Sequence, residues 1–268
     1  MKRRLRIRHI KHPEIEKDLA KRWAGYWGEI ALAHYVKELP QEKYYIFHNL
    51  HLQHNGVHFQ IDTLLITQYY ILIIEAKNIN VTLLFDNVFK QLIRINDDGT
   101  EESFEDPRVQ CQRLQYLLGG WHVKNGLNLF PMNYLIFLKS VKTILKADRD
   151  DKVDFSKICK GRDFFNKIES QDNRYHQIRV DKETINRLVE LLVSQHCPKQ
   201  INILAEYNIS KEDIRSGVHC SNCFYIPMIY KKGKWFCPTC HMSSKDALIV
   251  GLNDYFYLIQ PCVSSSKF

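Results

Sequence analysis

The sequence predicts a mixed α/β fold in which helices flank a central mixed sheet, followed by a small cysteine-held module. Three observations predict it. Short runs rich in Ile, Phe, Leu and Tyr follow one another over residues 44–77, segments with helical apolar spacing lie on both sides of them, and two Cys-x2-Cys pairs occur near the carboxyl end. With 268 residues, 45% of them hydrophobic, the chain can build one large core or two smaller ones.

Charge and hydropathy indicate the kind of partner that the protein binds and argue against a membrane protein. The formal net charge of +8 favours a polyanionic partner. The longest apolar run, residues 69–74, stops at Glu75 and is far shorter than the roughly 20 residues of a membrane helix. The basic first residues precede no apolar signal stretch, so we expect a cytoplasmic protein with reduced cysteines and no membrane association.

The first element is a helix over residues 14–39, which ends at Pro40. Its apolar residues recur at three- and four-residue steps, which indicates an amphipathic helix. The residues of this apolar face are Ile15, Leu19, Trp23, Tyr26, Ile30 and Ala33.

Strands follow the first helix. The pair Asn55-Gly56 predicts a tight hairpin within a meander. The predicted strands span residues 44–52, 57–66, 70–77, 79–85, 88–95, 100–104 and 132–138. Between the last two, Asp106 as N-cap and Pro107 as first helical residue predict a helix over 107–118 that ends at Gly119-Gly120.

The remainder divides at the segment Cys197-Pro198-Lys199. Before it we expect a charged loop over 146–160 and a helix over 181–196, and after it a short helix, the cysteine module and a closing helix over 247–259. We therefore predict a basic arm (1–18), a sheet-based domain (19–197) and a module of 198–268. The arm either contacts phosphate or is simply solvated.

Two carboxylates and a lysine stand out in the strands. Side chains two apart in a strand share a face, so Glu75 and Lys77 are neighbours. A hairpin loop of two or four residues sets Asp62, which lies among apolar residues, opposite Glu75. Two facing carboxylates favour a bound divalent cation, which would polarise a phosphodiester and lower the pKa of an attacking water. Lys77 would position that water or neutralise the developing charge. The alternative is an ordinary strand-end pair of Glu75 and Lys77, with Asp62 paired to a distant arginine.

These residues resemble a known family. Gly28-Glu29 in a helix, Ile61-Asp62 in a strand, Glu75-Ala76-Lys77 at the next strand end, and Pro-x-x-Gln from Pro107 to Gln110 are similar to the nuclease-related domain, NERD, a branch of the PD-(D/E)xK nuclease superfamily. The resemblance covers roughly residues 20–140. It departs from the family at Asp106, where Asn is expected.

The resemblance implies a PD-(D/E)xK nuclease-like core and phosphodiester cleavage dependent on Mg²⁺ or Mn²⁺. It implies that Asp62 and Glu75 are the metal ligands and that Lys77 is the catalytic lysine. It further implies that Glu29 is an auxiliary ligand or base and that Gln110 orients substrate or water.

The cysteine module has the spacing of a zinc ribbon. Two Cys-x2-Cys pairs, Cys220 with Cys223 and Cys237 with Cys240, are separated by thirteen residues, so each pair can point two thiolates at one tetrahedral Zn²⁺. Four thiolates close the coordination shell, which indicates a structural role. His219 and His241 adjoin the outer cysteines and could replace one of them. Lysines and aromatic residues between the pairs suit contact with nucleic acid or protein; these are Lys231, Lys232, Lys234, Trp235 and Phe236.

The leading hypothesis is a metal-dependent nuclease that acts on DNA, with RNA as a further substrate class. The first alternative is a nucleic-acid- or protein-binding module that keeps the nuclease fold without turnover. The second is a zinc-ribbon adaptor for protein assembly, in which the carboxylates would have no catalytic use.

Overall fold

The computed structural model describes residues 1–6, 8–127, 130–147, 154–260 and 262. The chain divides into two compact units, which we call the main unit (Arg22–Lys199) and the terminal unit (Met1–Lys21 with Gln200–Phe268). The described helices are α1 (His12–Lys37), α2 (Pro107–Lys124), α3 (Asp163–Arg174), α4 (Lys182–Ser194), α5 (Ile203–Glu206) and α6 (Ala247–Leu258).

The described strands form three sheets. Their bounds are β1 (Tyr45–His54), β2 (Val57–Ile66), β3 (Ile71–Lys77), β4 (Thr82–Asp86), β5 (Gln91–Ile95), β6 (Glu101–Glu105), β7 (Met132–Leu138), β8 (Ile144–Ala147), β9 (Ile158–Lys160), β10 (Ile229–Lys231), β11 (Lys234–Phe236) and β12 (Ser243–Ser244). The main sheet has the order β1-β2-β3-β7-β9, the second β6-β5-β4-β8 and the third, in the terminal unit, β10-β11-β12.

The main sheet is mixed and has helices on both faces. β1, β2 and β3 are antiparallel, whereas β7 runs parallel to β3 and β9 parallel to β7. Ile71 and Ile73 of β3 pack in one apolar cluster with residues of α2, α4 and the second sheet, while Leu72 and Ile74 pack in another with α1 and α3. The predicted class, an α/β fold with helices flanking a mixed sheet, is confirmed.

Two predicted segments differ from the structure, and one helix was not predicted. α2 does not stop at Gly119-Gly120 but continues to Lys124. Gly120 makes room for a close neighbour instead of ending the helix, since a Cβ there would lie 2.5 Å from Nε2 of His54. The segment 146–160 contains β9 and the end of β8, although 148–153 lie outside the described residues. α3, which was not predicted from the sequence, covers the sheet through buried Phe164 and Ile168.

The apolar face predicted for α1 is not the face that the main unit buries. Leu32 and Val36 enter the core, whereas Trp23, Tyr26 and Ile30 remain 44% to 51% exposed. A three- and four-residue period identifies residues on one face of a helix, but it does not identify what covers that face.

The first residues of the chain are part of the terminal unit's structure. Arg3 and Arg4 both bind the carboxylate of Asp254 on α6, at 2.6 and 2.7 Å. Arg4 is buried, and the backbone of Leu5 pairs with that of Ile214. Arg4 is therefore not solvated, whereas Arg3 remains exposed beside the same carboxylate. Among the described residues, no helix combines the length and hydropathy of a membrane span.

Candidate active site and metal centre

The β2–β3 hairpin closes through a four-residue turn, Thr67 to Tyr70. The amide of Thr67 donates to the carbonyl of Tyr70 at 3.0 Å, and Oγ1 of Thr67 accepts from the amides of Tyr69 and Tyr70 at 3.1 and 3.0 Å. The turn sets the register in which Thr63 faces Ile74. This register is the one predicted from loop length.

The β2–β3 ladder ends one residue before the predicted Asp62–Glu75 pair. Beyond Thr63 and Ile74 the strands are no longer paired, and Asp62 Oδ2 instead accepts a hydrogen bond from the amide of Ala76 at 3.0 Å. On the other side of β2, the register passes over Asn49, whose φ is 51°. β2 is thus irregular at Asp62, and its carboxylate replaces a strand carbonyl as acceptor for β3.

Glu75, Lys77 and Gln110 form a closed triangle of hydrogen bonds. Glu75, which is 4% exposed, accepts at Oε1 from Lys77 Nζ at 2.7 Å and from Gln110 Nε2 at 2.8 Å. Lys77 Nζ also donates to Gln110 Oε1 at 3.0 Å. Gln110 lies in the first turn of α2, where Asp106 caps the helix by accepting from the amide of Arg108.

Glu29 approaches this site from α1. The helix lies close to the end of β3, since a Cβ on Gly28 would be 3.3 Å from Cβ of Asn78 and 3.8 Å from that of Ala76. Nδ2 of Asn78 donates to the carbonyl of Ala24 at 2.9 Å. Asn78 is not among the predicted site residues, although its position directly after Lys77, at the end of β3, indicates that it lies near the site.

Electrostatics at the site reflect a surplus of negative charge. Burial raises the pKa of Asp62 to about 7, with the charge of Glu75 as the second cause, and the hydrogen bond from Ala76 acts in the opposite direction. Burial, followed by the charge of Glu75, also raises the pKa of Glu29. Carboxyl groups that repel one another in this way are the usual environment of a bound cation.

The donor set fits a hard divalent cation. Among the described residues, neither Oδ1 of Asp62 nor Oε2 of Glu75 accepts a hydrogen bond, so each carboxylate keeps one oxygen for a ligand. Mg²⁺ is bound in proteins through one or two carboxylates with waters completing the octahedron. Within the described residues, however, the four cysteines of the terminal unit are the one set of three or more His, Cys, Asp or Glu side chains whose ligand atoms all lie within 4.8 Å of one another. Glu29, Asp62 and Glu75 are not preassembled as a three-carboxylate cage.

Comparison with known families agrees with the resemblance. Residues 24–139 match the family model of the nuclease-related domain. The matched region therefore includes α1 from Ala24 onward, the two strands β2 and β3 that carry Asp62, Glu75 and Lys77, and the helix α2 that carries Gln110. No curated protein and no solved structure matches the chain significantly.

The four predicted zinc ligands lie together in the terminal unit. Sγ of Cys220 is 3.5 Å from Sγ of Cys240, and Sγ of Cys223 is 3.5 Å from Sγ of Cys237. Tetrahedral Zn²⁺ with Zn–S bonds of about 2.3 Å requires sulfur separations of roughly 3.8 Å. The four thiols thus fit a zinc ribbon.

Two matching turns aim the thiols at one point. In the first, the amide of Cys220 donates to the carbonyl of Tyr225, and in the second the amide of Cys237 donates to that of Met242, both at 2.9 Å. Each turn includes a residue with φ of 59°, Phe224 or His241. The amide of Met242 is the largest influence on Cys240 and lowers the pKa of its thiol to about 6, which favours the thiolate that binds metal.

The neighbouring histidines are not in the sulfur cluster. Nδ1 of buried His219 lies 3.5 Å from both Asp254 and Arg4, and His241 packs against the ring of Phe236. Neither replaces a cysteine. Of the residues proposed for nucleic-acid contact, Lys231, Lys232 and Lys234 are exposed, whereas Trp235 and Phe236 are partly buried.

Proposed function

We propose that this protein is a nuclease that hydrolyses phosphodiester bonds of DNA with Mg²⁺ or Mn²⁺ at a PD-(D/E)xK-type site. The observation that carries the proposal is the hydrogen-bonded triangle of Glu75, Lys77 and Gln110, with Asp62 joined to the intervening Ala76. The nuclease-related domain match over residues 24–139 supports the same reaction class.

The metal-binding pair in this proposal is Asp62 with Glu75. Their available oxygens would hold the cation, and deprotonation of Asp62 would accompany binding because its pKa in the metal-free site is about 7. When bound, the cation supplies Lewis acidity and lowers the pKa of an attacking water.

The remaining residues of the site position the reacting groups and balance their charge. Lys77 is held by Glu75 and Gln110 with its ammonium partly exposed, so it can neutralise charge that develops on a phosphoryl oxygen. Gln110 would orient Lys77 through Oε1 and Glu75 through Nε2. The raised pKa of Glu29, caused by burial and then by the charge of Glu75, makes its carboxylate a stronger base, which suits the role of an auxiliary base toward water.

The zinc ribbon has a structural and contact role in this proposal. Zn²⁺ held by four thiolates would stabilise a module with a small apolar core, and the exposed lysines of its hairpin would contact phosphate or an acidic protein partner. A cytoplasmic setting is part of the proposal, since reduced thiols are required.

A second candidate function is binding of nucleic acid without cleavage. Two observations favour it. Lys77 and Gln110 already donate to Oε1 of Glu75, and, among the described residues, Glu29, Asp62 and Glu75 are not gathered around one point. RNA is the further substrate class for either function.

Cleavage assays test the proposal directly. Supercoiled plasmid and circular single-stranded DNA are incubated with Mg²⁺ or Mn²⁺ and the wild type, Glu75→Ala, Lys77→Ala, or Lys124→Ala as an exposed-lysine control. We expect cutting by the wild type and the control, and a loss of at least about a hundredfold in the two site variants. Equal cutting by all four proteins would contradict a nuclease site here, and binding without cutting would favour the second candidate.

A further inference from the structure

Three aromatic residues form an exposed cluster on α1, within the main unit. Trp23, Tyr26 and Trp27 are 51%, 48% and 50% exposed, and we call them the α1 aromatic face. Their ring centroids lie 5.5 to 6.2 Å apart, with Trp23 and Trp27 stacked and Tyr26 edge-on to both. Large aromatic surfaces exposed in one contiguous patch usually mark a binding site.

The α1 aromatic face adjoins the candidate active site along the helix. It directly precedes Gly28 and Glu29, and Gly28 is the residue that packs on the end of β3 at Asn78 and Ala76. Tyr26 and Glu29 are three residues apart, so they are neighbours on the helix surface. The rings therefore border the turn of α1 that carries Gly28 and Glu29.

A lysine adds a positive charge to the same border. Nζ of Lys139 lies 5.9 Å from the ring centroid of Trp27, in cation–π range, and Lys139 is exposed. Its backbone amide donates to the carbonyl of Lys77 at 3.0 Å, so it directly follows the strand beside the candidate catalytic lysine. The patch therefore combines flat rings with a cation, the combination that binds single-stranded nucleic acid through base stacking and phosphate attraction.

We propose that the α1 aromatic face is a stacking platform for unpaired bases next to the phosphate bound at Asp62, Glu75 and Lys77. The inference rests on the proposed function and specifies its substrate class as single-stranded nucleic acid or the single-stranded part of a branched one. Bases within a duplex are stacked on one another and do not offer their faces to a side chain. Aromatic rings next to an exposed cation favour this occupant over an apolar helix of a protein partner.

Binding of matched oligonucleotides tests the platform. Fluorescence anisotropy with no divalent cation added compares labelled oligothymidylate with an oligomer of equal length and charge in which abasic sites replace the bases. The proteins are the full-length wild type, Trp23→Ala, Trp27→Ala and the ring-retaining Trp27→Tyr. Tyr116→Ala, which removes an aromatic residue 79% exposed on α2, is the matched control.

We expect Trp23→Ala and Trp27→Ala to weaken binding of oligothymidylate by about ten- to a hundredfold, as loss of a stacked base predicts, and to leave abasic binding unchanged. Trp27→Tyr restores most of the affinity, and Tyr116→Ala changes neither ligand. Unchanged binding of oligothymidylate would overturn the inference, as would equal losses for both oligomers. A change of oligomeric state in Trp27→Ala, measured by sedimentation velocity, would also overturn it, since a second copy would then cover the face.

The two proposals fail separately. If the wild type does not cleave but binds bases, and the tryptophan variants lose that binding, the nuclease proposal is contradicted and a single-strand-binding site remains. Cleavage by the wild type with unchanged binding in the tryptophan variants contradicts the platform alone.

Discussion

Gly28 lies directly against Asn78: a Cβ on Gly28 would come within 3.3 Å of Cβ of Asn78 and 3.5 Å of its amide nitrogen. The same asparagine donates to the carbonyl of Ala24 one turn earlier in α1. Glycine therefore sets how closely α1, and with it Glu29, approaches the end of β3.

Substitution at Gly28 should differ from substitution at Gly25 on the same helix. Gly25 has no atom within 4 Å of a built Cβ, so Gly25→Ala should raise the free energy of unfolding by about 1 kcal/mol through helix propensity. In Gly28→Ala, overpacking of about 1–3 kcal/mol should offset that gain, and displacement of Glu29 should reduce cleavage. Urea unfolding and plasmid cleavage of both variants measure this, and equal stabilisation without loss of activity would show that the close approach has no role.

Gln110 is predicted to support Lys77 rather than the fold. Gln110→Ala removes a donor to Glu75 and an acceptor for Lys77, and loss of such a positioning partner should lower the cleavage rate by about ten- to a hundredfold. Gln112→Ala, at an exposed position on the same helix, is the control and should cut like the wild type. An unchanged rate in Gln110→Ala would remove Gln110 from the site.

The register of β2 and β3 was predictable from sequence, but the end of their pairing just before Asp62 and Glu75 was not. The length of the turn is a local property, and a loop of two or four residues predicts the register in which Thr63 faces Ile74. The irregularity at Asp62 depends on Asn49 in another strand and on the amide of Ala76, which no local pattern encodes.

The exposure of the aromatic residues on α1 was likewise not predictable from sequence. Their spacing predicted that Trp23 and Tyr26 share a face, which the helix confirms, but periodicity alone could not show that this face is exposed. Lys139 was not selected either, because its relation to Lys77 and Trp27 arises from the pairing of β3 with β7, far apart in sequence.

Zinc should be bound by the cysteine cluster and by no other cysteines. We expect about one Zn²⁺ per chain in the wild type and its loss in Cys223→Ser and Cys240→Ser, because a four-thiolate shell lacking one ligand binds more weakly. Cys197→Ser, which alters a cysteine outside the cluster, should keep its metal. Metal analysis by mass spectrometry after gel filtration measures the content, and full zinc occupancy in Cys223→Ser would exclude Cys223 as a ligand.

The raised pKa of Asp62 should make the stability of the protein depend on pH. Its pKa is about 7 in the folded chain against an ordinary value of 3.8, chiefly because of burial and then because of Glu75. Folding therefore favours the protonated form, and this stabilising contribution is complete below about pH 4 and is lost as the pH rises towards about 7. The midpoint of urea unfolding, measured at a series of pH values without added Mg²⁺, should fall over this interval.

In Asp62→Asn, which does not titrate at this position, the fall should be smaller, whereas Glu101→Gln, at an exposed position on β6, should behave like the wild type. Mn²⁺ should raise the wild-type midpoint most at and above pH 7, where Asp62 is deprotonated and its carboxylate can bind the metal. Identical pH profiles for wild type and Asp62→Asn would contradict a buried, repelled carboxyl at this position.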